Sequence, residues 1–361
     1  MSLINRDAKV WLPPPVIRKV RLYSGLVLFI YIFAHLLNHS LGNFSLALAE
    51  RGLLIHKFVW QSVIGTTALY GAFILHFFLG LYALYERRMV HWTGSELAQL
   101  LLGLAVPPLL VTHLAGTRIA FAAYGIDKGY AQVLYSFWVL SPYICMVQQA
   151  LVIVAWAHGC IGIWFWFRLQ PWFARVRAPL LSVAVLPPVL ALLGFLRSGR
   201  EVVALARDPA WRAAALSPVQ TGVLAQNLWL ANLRDNFLVF DGGAVILVLL
   251  ARLVRASFEQ RRRRFTVTYP DGRRQTVPVG FSVLEVSRLA NIPHAGIRGG
   301  RGRCTLCRVR PGRRPRSGAA QYDGEPLAAR PGSGYRDGPA RLPDPPNDGC
   351  FRGAAGAGHG S

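Results

Sequence analysis

Apolar residues run in long blocks through the first two thirds of the chain, separated by short polar stretches rich in arginine. The blocks predict six spanning helices at roughly 20–42, 62–86, 97–120, 140–167, 179–197 and 236–256, each near the ~20 residues a bilayer core requires. Between the last two blocks, residues 198–235 hold Trp211, Trp229 and Leu230 in an amphipathic setting. That stretch is expected as an outer loop lying on the membrane surface. After Arg264 the periodicity changes. Phe265 to Tyr269 alternates as a strand, Pro270-Asp271-Gly272 turns, and Gln275 to Val279 returns. Ser282-Val283-Leu284-Glu285 opens a short helix with a capping pattern, and Val286, Leu289 and Ile292 are its apolar residues. Arg308-Val309-Arg310 predicts one further strand.

Composition agrees with a membrane protein. Of 361 residues, 53% are hydrophobic and 16% charged, and the mean hydropathy is +0.34, too apolar for an ordinary soluble chain. The net charge of +23 is carried largely by arginines beside the apolar blocks and in the last hundred residues. That placement suits a lipid partner and gives no reason to expect nucleic acid. Arg18, Lys19 and Arg21 precede the first block, Arg87 and Arg88 follow the second, Arg168, Arg175 and Arg177 follow the fourth, and Arg252, Arg255 and Arg261 to Arg264 follow the sixth. These are alternate loops, so the positive-inside rule makes their side the cytoplasm and puts both termini there. Arg118, Lys128, Arg197, Arg200 and Arg207 fall on the opposite side, so the rule holds as a bias. Residues 1–17 form a cytoplasmic segment without the apolar core of a cleavable signal peptide.

Four of the blocks each contain an interior histidine: His35, His76, His113 and His158. Ionisable side chains inside a bilayer are costly and usually functional, and imidazole is a common axial ligand of haem iron. With a helical rise of ~1.5 Å per residue, His76 lies about 16 Å from Arg87 and His158 about 15 Å from Arg168. His35 lies about 21 Å past Arg21 and His113 about 26 Å past Glu96. Two levels result, and two bis-histidine haems b, each bridging two helices of a bundle, fit them. A proton relay or an interhelical hydrogen bond is the plainer reading of any one membrane histidine. His39, one turn after His35, is expected at a haem edge or at the outer interface.

The segments Phe33-Ala34-His35-Leu36-Leu37-Asn38 and Leu75-His76 with Gly80 and Tyr82 resemble the first two helices of the dihaem cytochrome b anchors of succinate:quinone oxidoreductases. Thr112-His113 with Thr117-Arg118-Ile119-Ala120, and Trp156-Ala157-His158 with Gly162 and Trp164, resemble the other two ligand helices. The resemblance covers residues 18–197 and includes the spacing between the histidines. It implies that His35, His76, His113 and His158 are axial ligands, that a five-helix core is extended here by a sixth helix, and that quinone is a partner. Arg118 stands at the outer end of its helix as a partner for a haem propionate, or as an interfacial snorkelling arginine.

Two strands, a helix and a glycine-rich loop, Gly296 to Cys307, give the tail a β-grasp pattern. The loop is similar to a [2Fe–2S] ferredoxin loop, with Cys304 and Cys307 as metal ligands. Arg298 stands where the first cysteine is expected, so a complete [2Fe–2S] cluster is not expected. A zinc site would need a second ligand pair, and none stands near. The remaining cysteines give no disulfide framework. Residues 311–361 are rich in Gly, Pro, Arg and Ala and are expected to be a disordered, low-complexity tail.

The expected fold is thus an all-α membrane protein: a six-helix transmembrane bundle over 18–260, followed by a small, incomplete β-grasp ferredoxin-like domain over 265–310. This combination, with Trp164-x-Trp166-Phe167-x-Leu169-x-Pro171-Trp172, Gly194-Phe195 and Gly299-Gly300-Arg301-Gly302-Arg303-Cys304, resembles the N-terminal half of bacterial membrane-bound class III adenylate cyclases. That resemblance, over roughly 15–310, implies a redox- or quinone-responsive regulatory module in a bacterial inner membrane, working as a homodimer. Residues 311–361 hold no pair of metal-binding aspartates on a βαβ scaffold, so no catalytic cyclase domain is expected in this chain and a partner cyclase domain would be encoded nearby. The other class of function is electron transfer by an oxidoreductase-type cytochrome b, between quinone and a soluble or ferredoxin partner.

Overall fold

The computed structural model describes residues 14–88, 92–216, 221–261, 264–269, 271–292, 310–311 and 321–323. Helix α1 (Pro14–Leu41) leads through a tight turn into α2 (Leu46–Trp60), and α3 (Val63–Glu86) follows at once. Helix α4 (Gly94–Leu114) continues through a π-helical turn (Ala115–Ile119) into α5 (Ala120–Tyr124). A short α6 (Tyr130–Tyr135) and a second π-helical turn (Ser136–Leu140) precede α7 (Pro142–Phe167). Then come α8 (Phe173–Leu205), α9 (Pro209–Ala215) and α10 (Leu224–Gln260). Helix starts are fixed by side chains that accept otherwise orphaned backbone N–H groups: Ser45 for α2, Ser62 for α3, Asp208 for α9, and a Thr93/Glu96 capping box for α4.

Six of these helices, from Val16–Leu41 to Leu224–Gln260, are long and apolar enough to cross a membrane. The chain is a multi-pass membrane protein, with many apolar side chains turned outward, such as Val63 at 84% and Val239 at 76% exposed. The helices outrun the apolar blocks. Helix α8 reaches Leu205 and α10 begins at Leu224, so 198–235 is not a loop on the membrane surface. Trp229 and Leu230 lie inside α10, where Leu230 is buried, and Trp211 on α9 packs edge-on against Tyr135 at 5.6 Å. Hydropathy marks only the lipid-bathed part of a helix, whereas its hydrogen-bond ladder continues until a cap or turn stops it. From Arg197 to Leu205 no proline intervenes, and Gly199 is held under the Trp138 ring.

Helix α1 is central, packed against α3 and α8, while α4 packs against α7 and α10 lies along α3 and α4. The α1–α8 contact needs two glycines. A Cβ at Gly194 would stand 2.1 Å from the His39 carbonyl oxygen, and one at Gly42 would stand 2.6 Å from the Gly194 carbonyl oxygen.

Beyond α10, β1 (Arg264–Thr268) and β2 (Arg274–Pro278) form an antiparallel hairpin, with Gly272 at φ +82° in its turn. The Asp271 carboxylate accepts from the Arg273 backbone N–H and Nε, which holds it below the usual carboxylate range. Helix α11 (Val283–Leu289) starts at a Ser282/Glu285 capping box. Val267, Val277 and Val286 form a small core with Phe265, Tyr269 and Phe281 packed around it. Short strands β3 (Arg310–Pro311) and β4 (Gln321–Asp323) complete the order β2-β1-β4-β3, with β4 parallel to β1. The sheet therefore reaches beyond 310, into the stretch expected to lack order, through backbone pairing with β1.

One side chain ties this sheet to the bundle. Arg88, just past the end of α3, bonds Glu259 at the end of α10 (3.1 Å), donates to the Gly280 carbonyl, and lies over the Phe281 ring.

Replacing Gly194 by leucine is expected to force α1 and α8 apart and to cost about 1–3 kcal/mol or more by overpacking. A lowered unfolding temperature in detergent checks this, and an unchanged one contradicts the packing.

Candidate functional site

The four interior histidines meet as two pairs. His76 on α3 and His158 on α7 face each other with ring centroids 6.1 Å apart and planes at 87°. His35 on α1 and His113 on α4 stand 6.0 Å apart at 64°. Two imidazoles bound to one metal from opposite sides, with metal–nitrogen bonds of about 2.0 Å, have ring centres about 6 Å apart. Among the described residues, no three His, Cys, Asp or Glu side chains converge to hold a bare ion. The arrangement consists of opposed pairs.

The near pair, toward the arginine-rich loops, is built twice by one device. The His76 Nδ1–H donates to the Arg21 carbonyl of α1 at 3.1 Å, with the Ser24 hydroxyl alongside at 3.3 Å. The His158 Nδ1–H donates to the Gln99 carbonyl of α4 at 3.1 Å. In each case the fourth residue after that carbonyl is a glycine. A Cβ at Gly25 would lie 2.9 Å from His76 Cε1, and a Cβ at Gly103 would lie 2.7 Å from His158 Cε1. The missing side chain leaves space for the ring and uncovers a carbonyl whose second lone pair can accept. Both rings are thereby held in the tautomer that leaves Nε2 as a free base. Metal-bound histidines are typically oriented in this way, by a bond from the other nitrogen to a carbonyl. The Gln99 side-chain amide approaches His158 Nε2 only at 3.5 Å.

The far pair is set in a larger cluster of rings. His35 Nε2 meets His39 Nε2 at 3.2 Å, and His39 Nδ1 meets the Tyr130 hydroxyl at 2.7 Å. Burial and the Glu50 carboxylate push the Tyr130 phenol up from its ordinary range. Glu50 itself receives the N–H groups of Tyr130 and Ala131 and so fixes α6 against α2. His56 of α2 also packs on His35, 5.2 Å between centroids, and burial pushes its imidazole down to about 4. His35 Nδ1 is buried with no hydrogen-bond partner. His113 ends α4, and the Thr117 hydroxyl donates to its carbonyl at 2.6 Å within the π-helical turn. Such turns are frequent at functional sites. Between the levels, Phe29 stacks on Trp156 at 4.9 Å, and the Trp156 indole N–H donates to the Ala184 carbonyl.

Arg118 lies in that π-helical turn, bonds the Thr66 hydroxyl at 3.3 Å, and sits over Phe121. It is one residue type and one depth that could meet an acid group, but it already has a protein partner. Cys304, Cys307 and Arg298 lie outside the described residues. Sequence reasoning did not single out Gly25, Gly103, Ser24, His56 or Tyr130. The glycines carried a signal, since each lies four residues past a polar residue near the start of its apolar block. His56 sits in a helix that no hydropathy block announced.

No protein-family model, curated protein or solved structure matches the chain.

Gly25→Val and Gly103→Val are each expected to push out the facing imidazole and to destabilise by about 1–3 kcal/mol. Gly80→Ala, whose Cβ would meet open space, is expected to leave the unfolding midpoint in detergent unchanged or slightly raised. Equal midpoints for all three variants contradict the role given to these seats.

Proposed function

We propose that this protein is a membrane-embedded b-type cytochrome holding two bis-histidine haems and acting as a redox- or quinone-responsive regulatory module. His76 and His158 would hold one haem and His35 and His113 the other. The observation that carries this reading is the near pair. Two imidazoles from different helices stand with ring centres at the separation a shared metal requires, each with Nδ1 tied to a backbone carbonyl, so that Nε2 is the nitrogen left to bind. Two unrelated histidines satisfying local hydrogen bonds have no reason to repeat the same seat on facing helices.

Bound haem would supply one-electron chemistry inside the bilayer. The protein's part is positional. Arg21 and Gln99 carbonyls fix the near ligands' tautomer. In the far pair His35 Nδ1 is buried without a partner while its Nε2 meets His39 Nε2 at 3.2 Å, so that ring's bonding is incomplete in the protein alone. Arg118 and Thr66 would receive a propionate at the far end.

The regulatory reading, resembling the anchor of class III adenylate cyclases, is supported by Arg88. It joins the helix that carries His76 to the cytoplasmic sheet. That sheet has a hairpin, a helix and a strand parallel to the first, which supports a β-grasp, ferredoxin-like module. We assign no cluster to it, because Arg298 replaces the first expected ligand. The arginine bias supports a bacterial inner-membrane location with both termini cytoplasmic, and the cyclase resemblance supports a homodimer.

A reduced-minus-oxidised spectrum with a pyridine haemochrome count is expected to give two b haems per chain. His76→Ala or His158→Ala is expected to remove one haem and spare the other. A folded, colourless protein from haem-replete cells overturns the reading. The neighbouring DNA is expected to encode a class III cyclase domain. Its absence, together with quinol-dependent reduction of both haems, favours an electron-transfer cytochrome instead.

A further inference from the structure

At its arginine-rich end, α10 bounds a cleft of about 800 Å³ against the end of α3. Its apolar floor is Leu247, Leu250 and Val254, which recur at helical spacing and stand half or more exposed on the outside of the bundle. Above them sit Arg255, Glu259 and Arg261, two cations to one anion, with Tyr85 opposite. The cleft is therefore open to lipid along its length and cationic at its top.

The neighbouring acids compensate that charge only in part: Glu259, which also lines the cleft, is shared between Arg88 and Arg255. Arg88 reaches it with Nη2 at 3.1 Å and Nε at 3.2 Å. Glu96 pairs with Arg87 at 2.9 Å, and Glu86 accepts from the Tyr82 hydroxyl at 2.6 Å. Arg255 stands 3.7 Å from Glu259 and stacks over the Tyr85 ring at 4.5 Å. Its buried Nε–H is the group facing Glu259, at a distance too long for a hydrogen bond. Arg252 lies within electrostatic reach of both Arg255 and Arg87, so like charges crowd this rim. A buried donor without a hydrogen bond and a crowd of guanidinium groups that outnumbers the one carboxylate both gain from a further anion. Basic pockets beside transmembrane helices on this kind of face take anionic lipid headgroups.

We propose that this cleft binds an anionic phospholipid of the surrounding bilayer, with an acyl chain along Leu247, Leu250 and Val254 and the phosphate between Arg255 and Arg261. The site is independent of the histidine pairs.

The test is native mass spectrometry of the full chain purified in detergent and exposed to phosphatidylglycerol or phosphatidylcholine. The wild type is expected to retain phosphatidylglycerol as a resolved adduct several-fold more abundant than phosphatidylcholine. R255Q combined with R261Q is expected to lose most of that preference. Val254→Trp, which fills the floor without changing charge, is expected to lose the adduct as well. R261Q alone, at the end of the helix, gives the charge readout if the double variant fails to fold. Millimolar inorganic phosphate is expected to leave the adduct in place. Equal retention of the two lipids, or wild-type retention by the folded variants, overturns the proposal. Displacement by phosphate alone also overturns it and makes this a free-anion site.

Discussion

A buried imidazole has two nitrogens to satisfy, and in an apolar bundle nothing but another helix is there to do it. That constraint organises the membrane half. Helical carbonyls are already committed to their own ladder, so a second bond to one of them requires access from outside the helix. At Arg21 and Gln99 the access comes from a glycine one turn further on, which removes the side chain that would cover the oxygen. The same absence lets α3 and α7 bring their rings close to α1 and α4. Helix spacing, ring tautomer and the free nitrogen all follow from one local arrangement used twice.

The far level meets the constraint differently. Its polar atoms are shared among side chains, His35 with His39 and His39 with Tyr130, and two nitrogens, His35 Nδ1 and His56 Nε2, are left unsatisfied. A side-chain network of this kind is costly in low dielectric when incomplete. The near level is closed by backbone. The two levels therefore differ in what holds their rings as well as in depth, although the sequence presents their histidines alike.

That contrast shows how far a linear reading reaches. The interior histidines were legible because each interrupts an apolar block, and the hairpin and capped helix of the tail because alternation and a Ser-x-x-Glu pattern are local signals. What partners each histidine was not legible: a carbonyl carries no residue type, and a seat made by glycine is visible only when another helix fills it. Helix ends were misread for a related reason. Hydropathy reports what lipid covers, so the polar final turns of α8 and the first turns of α10 looked like loop. Helix α2 went unseen because its length falls short of a span, and β4 because three residues have no periodicity of their own.

Helix α3 joins two of these features. His76 and Glu86, the last residue of α3, are ten residues apart, about 15 Å along the axis, no proline interrupts the helix between them, and Arg88 follows two residues later. The near imidazole thus rides on a continuous helix that ends two residues before the anchor of the sheet. A shift of that helix end is passed to the Gly280 carbonyl and to Glu259 through one guanidinium, with the extended Arg87 as the joint of the linkage.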